Sequence, residues 1–223
     1  MKPIGNDIPN LTQPLTNRKR FVRMAIAGAL LAMGIGMQAC APKPEPEPAC
    51  DFVQNGDGQR VSWGSSVPVI LYVDASVTRE YFSAIQKAVE VWNRTLNREV
   101  LKIGGWTNTN APLQDGYNVI YMMNEWEADR SREQARTTVY WAGSQIYEAD
   151  VRINAKDYQF FTGDRAEGGK IDFESLLVHE FGHVLGLSHV DDGTQSVMLR
   201  ELPYAQFRRT LSALDQKSIS CEY

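Results

Sequence analysis

The chain has 223 residues, 43% of them hydrophobic and 22% charged, which suffices for one globular domain with a buried core. Its formal charge is -4, and the still more acidic body left without the basic N-terminal segment offers no basic stripe to neutralise phosphates, which argues against nucleic acid as the main partner. No repeat divides it.

Residues 1–39 read as a leader. The basic cluster RKRFVR precedes the apolar run Met24 to Met37, too short for a permanent membrane helix and suited to a signal-peptide core. MQAC at 37–40 resembles a bacterial lipoprotein signal, in which Cys40 would be diacylated and become the new N-terminus. Met37 and Gln38 depart from the usual leucine and small residue there, and plain secretion by cleavage near Ala39 is the alternative. The leader holds five basic residues and one acid, so its removal changes 23 minus 27 to 18 minus 26, a charge of -8. PKPEPEPA at 42–49 alternates proline with charge and reads as an extended stalk. The expected organisation is therefore a signal peptide at 1–39, a lipidated N-terminus and linker at 40–65, and a folded domain at 66–223. With Cys40 carrying lipid, Cys50 and Cys221 remain to flank the body, and in an oxidising compartment a bridge between them would close a very long loop.

PVILYV at 68–73 suits a buried strand. Tyr81, Ile85, Val89, Trp92 and Leu96 then recur at helical spacing behind Thr78 as N-cap, giving a helix with one apolar face. A second strand is expected at 100–103, a Gly-, Asn- and Thr-rich loop at 104–112, and a third strand at 117–123. TTVYWA (137–142) and QIYEADVRIN (145–154) read as a hairpin turned by Gly143 and Ser144. Residues 155–170 read as loop, a second helix starts at Asp172, and 211–219 reads as a third helix capped by Ser212 with Asp215 three residues on.

The chemistry lies in HEFGHVLGLSH, His179 to His189, which contains all three histidines of the chain. Residues four apart share a helix face, so His179 and His183 present their imidazoles side by side, as a tetrahedral metal requires. Gly186 ends the helix where a left-handed residue turns the chain, and the turn returns His189 as third ligand. Three neutral imidazoles leave Zn2+ its full charge and one open position. Glu180, beside the first ligand, is placed to take a proton from water at that position and pass it to a leaving amine.

This segment matches at every fixed position the signature H-E-x-x-H-x-x-G-x-x-H, and the chain here resembles the metzincin zinc peptidases, within them the matrixins. The likeness spans roughly 66–220. It implies an α/β (α+β) zincin fold, with a twisted mixed sheet of about five strands, two long helices and a small C-terminal helical subdomain. It implies one catalytic Zn2+ and a protein or peptide substrate. SVM at 196–198 is similar to the family's Met-turn, which would put Met198 beneath the metal. By the same likeness TTVYWA is an edge strand, so Val139, Tyr140 and Trp141 would pair with substrate, and Pro203 and Tyr204 would wall the pocket, although they stand farther from Met198 than usual.

Val190 departs from the serine that usually follows the third ligand, and no histidine remains for the structural zinc of matrix metalloproteinases. Cys50 lacks the sequence context of the family's zinc-blocking cysteine. Asp164, Asp191 and Asp192 match no calcium loop and read as solvated acids. The expected protein is a monomeric zinc endopeptidase, lipid-anchored in a bacterial envelope at the outer membrane or periplasmic side, or else secreted. A non-catalytic zinc-binding lipoprotein and a zinc amidase acting on cell-wall peptides are the alternatives.

Overall fold

The computed structural model describes residues 49–109, 111–191 and 195–223. The leader, Cys40, most of the stalk and Asp192 lie outside the described residues. Five strands form one sheet: β1 (Val69–Asp74), β2 (Leu101–Thr107), β3 (Asn118–Met123), β4 (Ala135–Ala142) and β5 (Gln145–Asn154), in the order β2-β1-β3-β5-β4. All neighbours run parallel except β4, which pairs antiparallel with β5 and forms one edge of the sheet. The hairpin closes at Ala142 opposite Gln145, where Gly143 has φ 63°. A two-residue turn with positive φ matches the twist of the strands it joins.

The expected end of the second strand needs correction, because β2 continues to Thr107 through the glycines assigned to a loop. The pairing slips between Leu71 opposite Ile103 and Tyr72 opposite Gly105. A Cβ on Gly104 would meet Ile70 Cγ2 at 2.6 Å and Tyr72 Cε1 at 2.9 Å, so glycine is what lets this irregular strand stay in the sheet. Two short strands also form inside the expected 155–170 loop and at its end, β6 (Phe160–Phe161) and β7 (Ile171–Asp172).

Helix α1 (Phe82–Thr95) buries Ala84, Ile85, Ala88, Val89 and Trp92. Thr78 is not its N-cap: it precedes a 3-10 turn at Arg79–Tyr81, and its hydroxyl bonds Glu80 instead of the backbone. Helix α2 (Phe173–Val184) is apolar almost all round and is accordingly central, with Phe173, Leu177, Val178, Phe181 and Val184 inaccessible to solvent. Asp172 caps it by accepting from Ser175 N at 3.0 Å. Trp92 Nε1 donates to Val178 O at 3.0 Å and locks α1 on α2. Helix α3 (Ala213–Ile219) follows the small C-terminal region and begins with the expected Ser212–Asp215 capping box.

Residues 50–63, grouped with the linker by sequence, lie on the body as a strap that buries Phe52, Val61 and Trp63. Cys50 and Cys221 are disulfide-bonded across Cα atoms 6.5 Å apart. Among the described residues, no helix is long and apolar enough to cross a membrane.

Candidate metal centre and cleft

The C-terminal end of α2 carries the site, and its otherwise unpaired carbonyls are all accounted for. Trp63 Nε1 donates to Val184 O at 2.7 Å, Tyr223 OH to Leu185 O at 2.8 Å, and Val53 N to Gly186 O at 3.0 Å. Gly186 N bonds back to His183 O and Leu187 N to Gly182 O, both at 2.9 Å, closing the helix around Gly186 at φ 100°. A Cβ there would collide with Val61 O. The chain reverses, and His189 arrives opposite the helix.

Nε2 of His183 then lies 3.1 Å from Nε2 of both His179 and His189, which are 3.2 Å apart. His179 Nδ1 meets Val197 O and His183 Nδ1 meets Leu187 O, each at 2.7 Å. A carbonyl only accepts, so both Nδ1 atoms carry the proton and both Nε2 atoms present lone pairs. His189 differs: its Nδ1 faces Arg200 Nη1 at 3.2 Å, and Arg200 is itself paired with Asp191. Burial, foremost, pushes all three imidazoles below their ordinary range, His183 to about 4. Three imidazole nitrogens thus converge on one point, two of them with lone pairs turned inward, and the donor set fits Zn2+.

The support beneath them is built by α3. Asp215 accepts from Val197 N at 3.0 Å, from the Ser196 hydroxyl, and from Ser212 N and Oγ at 2.8 Å. This one carboxylate caps α3 and fixes the turn whose carbonyl orients His179. Met198 is buried against Gly182, where a Cβ would run into its sulfur. Glycine between the two helical histidines thus admits the methionine against this turn of α2.

Glu180 is 3% exposed, and burial pushes its carboxyl up to about 7. Thr137 Oγ1 on β4 donates to its Oε2 at 2.6 Å and opposes that rise. The glutamate opens into a cleft of about 530 Å³ that also contains the three histidines.

Val139 and Trp141, which the resemblance assigns to substrate pairing, line this cleft from the edge strand. Tyr140 does not: alternation turns it to the other face, where it stacks on Tyr147 at 6.5 Å. Pro203 and Tyr204 also stay out of it. Tyr204 stacks on Tyr158 at 6.3 Å, while Glu201 and Leu202 form the wall, and Gln134 Nε2 holds Leu202 O at 2.8 Å. Asp164 is spent on Arg209 and Asp191 on Arg200. Thr137, Arg208 and the strap residues Val53 and Val61 are cleft residues that sequence reading had not singled out. Only Thr137 carried a signal, as a residue of the expected edge strand TTVYWA.

The family model described as matrixin matches residues 70–223. The chain belongs to the matrixin family. Matrixins are zinc-dependent peptidases, so this matrixin is a metallopeptidase whose substrates are proteins or peptides, and its histidine triad is placed to bind the metal. No curated protein matches the chain. The strap at 50–63, which supplies two cleft residues and seals the turn at Gly186, lies outside the matched span.

Proposed function

We propose that the chain is a zinc endopeptidase working outside the cytoplasm, with His179, His183 and His189 as ligands of one Zn2+ and Glu180 as general base and acid. The observation that carries this reading is the buried Glu180 carboxylate in the same cleft as three converging imidazoles, beside an edge strand. Bound zinc supplies positive charge that acidifies water and polarises a peptide carbonyl. Glu180 accepts the proton of the attacking water and returns it to the departing amide nitrogen. A carboxyl held near 7 can do both at neutral pH. The free N–H and C=O groups of β4 bind the substrate as an added strand, which favours an internal stretch of extended chain over a terminus.

The rest of the reading comes from sequence. The leader at 1–39 is removed, a lipid on Cys40 anchors the protein in a bacterial envelope, the stalk ahead of the strap tethers it, and the domain at 66–223, with the strap folded on it, acts as a monomer.

Cleavage of casein and of a mixed peptide library by zinc-loaded wild type and Glu180→Ala tests the activity. Cleavage by wild type alone, lost on chelation, is the expected result. Zinc binding without cleavage by either protein would replace this reading with a non-catalytic zinc protein, and activity confined to cell-wall peptides would replace it with an amidase.

A further inference from the structure

The cleft is lined by β4 residues from Ala135 to Trp141 and by the three histidines. Part of its wall is aliphatic, formed by Leu176, Val197, Leu199 and Leu202, and Ser175 and Arg208 line the same cleft. Arg208 is fixed there by its own backbone, whose N–H donates to Ser175 Oγ at 2.7 Å. The guanidinium is half-buried and, among the described residues, donates only to Leu199 O, at 3.3 Å.

Its electrostatic situation differs from that of the arginines around it. Arg136 is paired with Glu127 and Glu133, Arg200 with Asp191, and Arg209 with Asp164, Asp172 and Glu174. Arg208 has no ion pair among the described residues. The carboxylate whose charge it feels, Asp215, is already occupied by Ser196, Val197 and Ser212. A partly desolvated guanidinium with spare donors in a cleft that also has aliphatic walls is complemented by a group with an aliphatic stem and an anionic tip.

We propose that Arg208 is a specificity-determining residue, selecting peptides with a glutamate or aspartate side chain beside the scissile bond. The assignment rests on the peptidase reading for its meaning but not for its test. Zinc-loaded Glu180→Ala protein is titrated with two peptides that differ only by Glu or Gln at that position, in the same background and with Arg208→Gln and Arg208→Lys added. The acidic peptide is expected to bind about tenfold more tightly, a difference that Arg208→Gln abolishes and Arg208→Lys partly retains, since a lysine keeps the charge but loses the fork. Equal affinity for the two peptides, or a preference that survives Arg208→Gln, overturns the proposal. Cleavage by wild type is scored separately, so failure of the peptidase reading leaves the selectivity result standing on binding.

Discussion

Thr137 Oγ1 lies 2.6 Å from Glu180 Oε2, joining the edge strand to the carboxylate proposed as base. The bond stabilises the ionised form in a site where burial opposes it. Thr137→Val removes this donor while keeping the shape. Its expected effect is a shift of the acid limb of the pH–activity profile to higher pH by about one unit, since a hydrogen bond to a charged group is worth about 1.5–3 kcal/mol. Thr137→Ser should restore the limb. A uniform loss of activity at every pH would show that the hydroxyl only shapes the strand.

Gly186 faces two separate demands, a φ of 100° and the approach of Val61 O. Gly186→Ala should lower the melting temperature and make a chelator strip zinc faster, because this turn delivers His189. Gly163→Ala is the control, with φ 88° and open space around the added carbon. It should cost only the conformational strain, about 1–3 kcal/mol, with zinc loss unchanged. Equal effects from the two substitutions would show that the strap contact is slack.

The ligands were legible because their geometry is local: four residues on a helix, then a glycine turn. The Ser212–Asp215 cap was legible for the same reason, being written within four residues. What Asp215 does for Val197 was not, because that contact joins segments 18 residues apart and is made by tertiary packing. The Thr137–Glu180 bond spans 43 residues and depends on which strand ends at the sheet edge. The extension of β2 was missed for a different reason. Gly104 and Gly105 ordinarily signal a loop, and only the side chains of Ile70 and Tyr72 opposite them show why a strand needs glycine there.

Asp150 sets a pH dependence away from the cleft. Burial, assisted by Glu148 and Asp115 and opposed by its bond from Val119 N and by Arg152, pushes its carboxyl from 3.8 up to about 7. The folded protein therefore holds this proton more tightly than the unfolded chain. The contribution to stability is full below pH 4 and is lost as pH rises through 7. Asp150→Asn keeps an acceptor for Val119 N at 2.9 Å without the buried charge. At pH 8 the variant should unfold later than wild type, by about 1–2 kcal/mol, and denaturant melts should converge only below pH 4. A wild type that is the more stable at pH 8 would mean that Arg152 compensates the carboxylate fully.

The disulfide carries the last expectation. Cys50–Cys221 closes a loop of 171 residues, which loop entropy values on the order of 4 to 5 kcal/mol before any strain is subtracted. Its position suggests a local effect beyond that global one. Asp51 O accepts from Ser188 N at 2.7 Å, Val53 N donates to Gly186 O, and Tyr223 holds Leu185 O, so both anchored ends converge on the turn between His183 and His189. Reduction should thus accelerate zinc loss to a chelator even at temperatures where the sheet remains folded by circular dichroism. Cys50→Ser with Cys221→Ser should behave like the reduced protein and be insensitive to reductant. If the double variant melts earlier but loses zinc at the wild-type rate, the bridge stabilises the chain as a whole, and the strap holds the turn by its hydrogen bonds and by Phe52, Val61 and Trp63 without needing its covalent anchor.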